Sequence, residues 1–217
     1  MTQTPVPAPP SRSERKRQTI LSAGQALFLS NGYQGTSMDQ VAASAAVSKQ
    51  TVYKHFGEKR ELLFAIVTDA LDTSVTAFRQ RVGELVETTD VDAHLIALAT
   101  EYLRTVLEDA IVQLRRLVIS EAGRLPELAQ LYYRHAPART LDALADAFGR
   151  LHRKGLLQVP EPRLAAEHFA FLIVGRPIDQ ALFEGAPRVR ATVDVDSYAR
   201  AGVRVFLAAY RPREVAR

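Results

Sequence analysis

The sequence predicts an all-α fold of about nine helices, with three helices at the N-terminus and a larger helical domain after them. Three observations support this prediction. Apolar residues recur at helical spacing along most of the 217 residues, Ser and Gly stand where helices would begin and end, and no segment alternates with a period of two. The composition, 47% hydrophobic and 24% charged, is that of a globular protein.

Three segments follow from this pattern. Residues 1–10 contain four prolines and no charge, which predicts a disordered arm. Residues 11–58 are expected to form the first domain and residues 59–217 the second, since beyond residue 58 the apolar stripes become longer.

The first domain begins with a helix that Ser11 and Glu14 start as a capping box. An apolar stripe with a 3.6-residue period then continues to Asn31 and Gly32, which end the helix. Ser37 is the expected cap of a short second helix.

A third helix, SKQTVYKHF, begins with Ser48 as its cap. Only Val52 and Phe56 have the spacing and character to face a core, so its other side is polar and turned outward. Two short helices joined by a turn of three or four residues form a helix-turn-helix, whose second helix enters the major groove of DNA.

The positive charge is concentrated in the same region. Residues 1–60 hold eight Lys and Arg against three Asp and Glu, a net charge of +5, whereas the rest of the chain has a net charge of −1. This imbalance favours a polyanionic partner, although a basic, solvated surface on any helical protein would look the same.

The second domain is predicted to contain six more helices. The first runs from residue 59 to near residue 81 and joins the two domains. Pro137 is expected to kink or divide the predicted helix 126–154. Gly155 marks the end of that helix, and Pro162 marks the start of the next one. The remaining ranges are 92–108, 110–123, 126–154, 162–176 and 194–211.

The predicted helix 162–176 is apolar nearly all round, so it must be covered on two sides. The second cover is either this chain itself or a partner subunit. In the latter case, the last two long helices of each chain would form a four-helix interface in a homodimer.

The stretch GYQGTSMDQVAASAAVSKQTVYKHFGEKRELLFAIV resembles the DNA-binding domain of the tetracycline-repressor (TetR) family of bacterial regulators. With the helix before it, the resemblance covers residues 13–67, and its distinctive part is VSKQTVYKHFGEKREL. This sequence departs from the family at Gln50, where many members carry Gly. The operator of another member therefore does not transfer to this chain.

The resemblance implies two kinds of DNA contact. Lys49, Tyr53 and Lys59 are expected to bind phosphates, while Gln50, Thr51 and His55 reach base edges. Ser37 as a simple cap, Tyr53 as a packed aromatic residue and His55 as a solvated residue stay open as alternatives. The full expected set is Thr36, Ser37, Ser48, Lys49, Gln50, Thr51, Tyr53, Lys54, His55 and Lys59.

The C-terminal stretch RRLVISEAGRLPELAQLYY resembles a subgroup of the same family that includes regulators of efflux pumps. The family dimerises through its last two long helices and holds an inducer among the middle ones. Polar and aromatic residues within the apolar stripes of those helices are the candidate ligand contacts, although such aromatic residues are more often plain core. They are Tyr102, Glu121, Tyr132, His135, Phe148, His168 and Phe171.

Glu121 is the most unusual of these candidates because it lies on an otherwise apolar helix face. A buried carboxylate needs a cation, so we expect an ion pair with an arginine such as Arg124 or Arg176. The alternative is recognition of a cationic ligand.

Several function classes find no support. The chain has no cysteine, its five histidines form no HExxH motif, and GxSxG, P-loop and GxGxxG motifs are absent, so we expect no catalysis, cofactor or metal site. No apolar run reaches the ~18 residues of a membrane span and no signal peptide is evident, so a soluble, cytoplasmic protein is expected.

The sequence therefore predicts a ligand-responsive DNA-binding regulator. The resemblance implies a repressor that binds a palindromic operator as a homodimer and is released by a small apolar or amphipathic effector. The alternative is a regulator without an effector, whose second domain serves only for dimerisation or protein contacts. A cavity among the middle helices would favour the first and a filled core the second.

Overall fold

Eleven α-helices and one short π-helical segment make up nearly all of residues 11–88 and 90–212, which the computed structural model describes. No strand occurs in these residues, so the all-α prediction is confirmed. The predicted arm, residues 1–10, lies outside the described part. The helices are α1 (Arg12–Asn31), α2 (Met38–Ser44), α3 (Lys49–Phe56), α4 (Lys59–Glu87), α5 (Val91–Val106), α6 (Asp109–Glu121), α7 (Pro126–Tyr133), α8 (Arg139–Arg153), α9 (Pro162–Glu184), α10 (Ala186–Thr192) and α11 (Val195–Tyr210).

The chain divides into two compact units, with the boundary between Val67 and Thr68. Residues 59–67, at the start of α4, therefore pack with the first unit, whereas the sequence analysis assigned them to the second domain. The reason is the close packing of α4 on α1. A Cβ atom added to Gly24 of α1 would lie 2.9 Å from Ile66 Cδ1, so a larger residue at this position would require the Ile66 side chain to shift.

The helices of the first unit begin as their sequences predict. The side chain of Ser11 accepts a hydrogen bond from the Glu14 N–H, and Glu14 completes the capping box. Ser37 forms a second capping box with Gln40 at the start of α2. Each box satisfies helix N–H groups that have no partner within the helix.

Aromatic packing organises the core of the second unit. Phe148 of α8, Phe169 of α9 and Phe206 of α11 contact one another with ring centres 5.0–5.5 Å apart, and all three are fully buried. Gly202 of α11 lets that helix approach α9, since a Cβ atom there would lie 3.2 Å from the carbonyl oxygen of Leu172.

Several helix boundaries differ from the prediction of about nine helices. Pro137 divides the predicted 126–154 helix, as expected, by way of a π-helical segment at Arg134–Ala138. In contrast, α9 continues through the buried Pro177 to Glu184, because tertiary packing outweighs one missing hydrogen bond. α10 is an additional short helix, and α4 extends to Glu87.

Candidate nucleic-acid interface and effector cavity

α3 has one buried side and one exposed side, as its sequence predicts. Val52 and Phe56 are 0% and 5% exposed, and they anchor the helix in the first unit. The opposite side carries four exposed residues and two half-buried ones. The exposed ones are Lys49, Gln50, Tyr53 and Lys54, and the half-buried ones are Thr51 and His55.

Ser48 caps α3 and is exposed. Its hydroxyl oxygen accepts a hydrogen bond from the Thr51 N–H at 3.2 Å and lies 2.8 Å from the Thr51 hydroxyl. Ser37 is likewise an exposed cap, at α2. A hydroxyl that caps a helix can form further hydrogen bonds, so a capping role does not exclude contact with a phosphate.

Lys49 forms an ion pair within the first unit. Its ammonium nitrogen lies 2.8 Å from a carboxylate oxygen of Asp39, and both side chains are largely exposed. The hydrogen bond that Lys49 donates to Asp39, together with the negative charge of that carboxylate, raises the pKa of Lys49 above its ordinary value. A phosphate that binds Lys49 therefore competes with this carboxylate.

Thr36, one of the expected DNA contacts, is buried. The residue is 2% exposed, and its hydroxyl donates to the carbonyl oxygens of Leu27 at 3.1 Å and Gly32 at 2.9 Å. A side chain that closes the loop after α1 in this way cannot reach a phosphate. Its expected role as a DNA contact is therefore corrected to a structural one.

Lys59 is also engaged within the first unit. Its ammonium group donates to the carbonyl oxygens of Tyr33 at 2.9 Å and Thr36 at 3.0 Å, and it lies 4.4 Å from the centre of the Tyr33 ring. The side chain thus joins the start of α4 to the loop between α1 and α2. Two of its three donors are occupied, so one N–H remains for the phosphate contact that the resemblance implies.

The structure draws attention to a basic residue that the site prediction omitted. Arg17 is exposed on α1, and its guanidinium carbon lies 5.3 Å from the centre of the Phe56 ring, at the C-terminal end of α3. The sequence already pointed to Arg17, because it belongs to the basic cluster of α1 that contributes to the net positive charge of the first 60 residues.

A cavity of about 500 Å³ lies in the second unit. Residues of α4 to α9 line it, and most of its wall is apolar, with Phe78, Val118 and Val174 among the contributors. A space of this size accommodates a small organic molecule.

Three of the seven candidate ligand contacts, Tyr102, Tyr132 and Phe171, line this cavity. The other four do not. Phe148 belongs to the aromatic core, and exposed His168 is hydrogen-bonded through Nδ1 to the Tyr210 hydroxyl at 2.6 Å. His135 turns Nδ1 toward the carboxylate of Asp72, 3.5 Å away, and Glu121 is the fourth.

Glu121 is buried, with 7% exposure, but the expected ion pair is absent. Its Oε2 atom has no hydrogen-bond partner among residues 11–88 and 90–212. Both predicted partners, Arg124 and Arg176, are exposed, where their guanidinium groups keep their hydration. The prediction of a pair with either arginine is therefore wrong.

Arg115 is a charged residue of the cavity wall that was not among the predicted ligand contacts. It is half-buried on α6, and its Nε donates to the Tyr132 hydroxyl at 3.1 Å. Burial raises the pKa of the neighbouring Tyr102 to about 12. Its position in the sequence could have identified it. Arg115 precedes the cavity residues Val118 and Ile119 by three and four residues, which places all three on the same helix face.

Residues 11–88 and 90–212 contain no group of three or more His, Asp or Glu side chains that could hold a metal ion. Within those same ranges, no helix has the length and apolar character needed to cross a membrane.

Two family models match the chain. Residues 20–66 match the family described as bacterial regulatory proteins, tetR family, and residues 93–212 match the AefR-like transcriptional repressor, C-terminal domain. The chain belongs to the TetR family. Its members are DNA-binding transcriptional regulators, and α2 and α3 are the helix-turn-helix of this TetR-family chain.

Solved structures are similar to this chain over most of its length. A regulator from Mesorhizobium loti MAFF303099 is 34% identical, with a TM-score of 0.87 over 94% of this chain and 100% of that one. The flavonoid-responsive regulator FrrA is 27% identical, with a TM-score of 0.71 over 92% of this chain and 98% of that one.

The transcriptional activator FasR of Mycolicibacterium smegmatis is 38% identical over 69 residues, which are 32% of this chain and 31% of FasR. This chain thus matches less than a third of the length of that curated relative.

Proposed function

We propose that this protein is a cytoplasmic, ligand-responsive repressor that binds a palindromic operator as a homodimer and leaves it when a small apolar or amphipathic effector binds. The observation that carries the proposal is the cavity of about 500 Å³ with largely apolar walls. A domain used only for dimerisation needs no such space, because protein cores are otherwise closely packed.

Two comparisons support the parts of this proposal. FrrA, described as flavonoid-responsive, shares the fold at 27% identity, which favours a response to a small molecule. The C-terminal family is described as repressors, which favours repression, although FasR is described as an activator.

The DNA contacts are proposed on exposure and charge. Lys49, Tyr53 and Lys54, with Arg17 of α1, bind the phosphate backbone and position the protein. Gln50 reads base edges, since its amide can pair with adenine in the major groove. Thr51 and His55 are proposed to reach base edges as well, and the cap hydroxyls of Ser37 and Ser48 to contact the DNA beside them.

The homodimer is proposed to form through α9 and α11. These helices expose large apolar side chains, among them Leu164, Phe171 and Val205, which are 41%, 68% and 57% exposed. Apolar side chains that extend from two adjacent helices are suited to a four-helix interface with a second copy. Two recognition helices about 34–36 Å apart then fit successive major grooves.

The release mechanism uses α4. This helix runs without interruption from the first unit into the second, where Leu71, Val75 and Phe78 line the cavity. An effector that binds more tightly to a form with wider-spaced recognition helices moves the dimer out of register. A full reversal of the equilibrium needs a difference in binding free energy of about 5.5 kcal/mol.

Selection of bound fragments from the source genome identifies the operator, and titrations across salt concentrations then test the contacts. Lys54→Gln should weaken binding to every sequence and lower the salt slope by about 1, whereas Gln50→Ala should mainly change sequence preference. Gln130→Ala, an exposed change in the second unit, is the control. Equal effects of Lys54→Gln and Gln50→Ala on every sequence would refute this division.

The dimer is tested by sedimentation. The mass should be about twice the 24.0 kDa of one chain, and Val205→Glu should lower it, while Leu156→Glu, at an exposed leucine outside α9 and α11, should not. A monomeric wild-type protein at micromolar concentration contradicts the proposal. Operator binding that no compound related to the neighbouring genes' products releases would favour a regulator without an effector.

A further inference from the structure

The charge of the cavity wall is unbalanced. Among the residues found to line the cavity, Arg115 is the only one with a charged side chain, and neither Asp nor Glu contributes. A half-buried guanidinium group in an apolar wall has lost part of its hydration, and no carboxylate of the wall compensates for that loss. A negative charge inside the cavity would restore the balance.

Arg115 keeps N–H donors available for a negatively charged group in the cavity. Its Nε is bonded to the Tyr132 hydroxyl, and the Tyr132 ring lies 5.8 Å from the guanidinium carbon, so the side chain is held in one orientation. Within the described ranges, the two terminal nitrogens have no hydrogen-bond partner and Arg115 joins no ion pair. A planar pair of N–H donors matches a carboxylate or a sulfonate.

Two tyrosine hydroxyls complete a set of donors. The Tyr132 oxygen accepts the bond from Arg115, so its own proton remains available to a ligand. Tyr102 also lines the cavity, and its hydroxyl, which is protonated at neutral pH, can donate.

We propose that the effector is an amphipathic anion, with an aromatic or aliphatic body in the apolar part of the cavity and one acidic group bound to Arg115. This inference rests on the proposed effector function and names its ligand class. A cationic effector is disfavoured because Glu121, the carboxylate that could bind it, does not line the cavity.

Two fluorescent probes with the same aromatic body test the proposal on the full-length dimer. The dye 8-anilino-1-naphthalenesulfonate is an anion, and N-phenyl-1-naphthylamine is its neutral counterpart without the sulfonate. The wild-type protein should bind the anion at least about tenfold more tightly than the neutral dye. Arg115→Gln should weaken anion binding by about tenfold or more and change neutral-dye binding less than about twofold.

Two controls separate charge from folding. Arg116→Gln removes an exposed positive charge from the next position of α6 and should leave both affinities unchanged. Arg115→Lys keeps the charge but not the planar pair of donors, so its anion affinity should lie between those of the wild type and Arg115→Gln. It also tests the charge if Arg115→Gln fails to fold.

A third variant locates the dyes. Val174→Phe fills the cavity from α9 and should abolish saturable binding of both dyes, with folding checked by circular dichroism. Unchanged binding would place the dyes elsewhere and contradict the proposal.

The outcomes distinguish the two levels of inference. If the wild-type protein binds neither dye, the proposed effector function fails along with its ligand class. If it binds the neutral dye equally well, or if Arg115→Gln weakens both dyes alike, the anion proposal is overturned while the effector function stands.

Discussion

The ammonium group of Lys59 lies 4.4 Å from the centre of the Tyr33 ring and donates to the Tyr33 carbonyl oxygen. Together with a third contact, to the Thr36 carbonyl oxygen, this arrangement ties the first residue of α4 to the loop that precedes α2. The helix-turn-helix is thereby fastened to the helix that leaves the first unit.

Replacing Lys59 with Met should therefore lower the free energy of unfolding by about 1–3 kcal/mol, because two hydrogen bonds to a charged donor are lost. Urea titration followed by circular dichroism measures this change. Lys54→Met, at an exposed lysine of α3, is the control and should leave stability nearly unchanged. A Lys59→Met protein as stable as the wild type would show that these contacts contribute little.

Thr36→Val should lower stability without altering the electrostatics of DNA binding. The change removes a buried hydroxyl that donates to two carbonyl oxygens, at a cost of about 1 kcal/mol. The slope of operator affinity against salt concentration should match that of the wild type, with Ser44→Ala as an exposed control in α2. A shallower slope would restore Thr36 as a backbone contact.

Asp39→Asn should strengthen binding to all DNA sequences. The carboxylate of Asp39 pairs with Lys49 and would repel nearby phosphates, so its removal frees a cation and deletes an opposing charge. Fluorescence anisotropy at several salt concentrations should show higher affinity and a steeper salt slope. Asp146→Asn makes the same change in net charge in the second unit and should have little effect. Equal effects of both variants would assign the gain to net charge alone.

Ala46→Gly should stabilise the first unit. Ala46 has a φ of +51° in the turn between α2 and α3, a left-handed conformation in which an L side chain is strained. Relief of this strain outweighs the added flexibility of the unfolded chain, for a gain of up to about 1 kcal/mol. Thermal unfolding measures it. Ala26→Gly, at an exposed position within α1, should have the opposite sign, and a loss of stability in both variants would contradict this account.

The ionisation of Tyr102 should lower the stability of the protein at alkaline pH. Burial raises its pKa from 10.0 to about 12, so it ionises first in the unfolded chain. Its contribution is complete below pH 10 and is lost as pH rises toward 12. Unfolding free energies across this range should fall less steeply in Tyr102→Phe than in the wild type, whereas Tyr133→Phe, at an exposed tyrosine, should follow the wild type. Parallel curves for Tyr102→Phe and the wild type would disprove this assignment.

Interactions between near neighbours in the chain determined what the sequence could predict by itself. The caps at Ser11, Ser37 and Ser48 depend on residues three positions away, and the division of α3 into two sides follows from the spacing of Val52 and Phe56. The division of the predicted 126–154 helix at Pro137 was also predictable, because a proline disrupts the helix hydrogen bonds of its near neighbours in the chain. The fold class and the exposed side of α3 were accordingly correct.

Contacts between distant residues decided the rest. Lys59 meets carbonyl groups 23 and 26 residues before it, Arg115 meets a hydroxyl 17 residues after it, and Glu121 is enclosed without the arginine its sequence suggested. Charge and hydropathy show that a side chain needs a partner. Only the packing of helices decides which groups come within reach, because that choice depends on burial summed over the whole unit rather than on any local pattern.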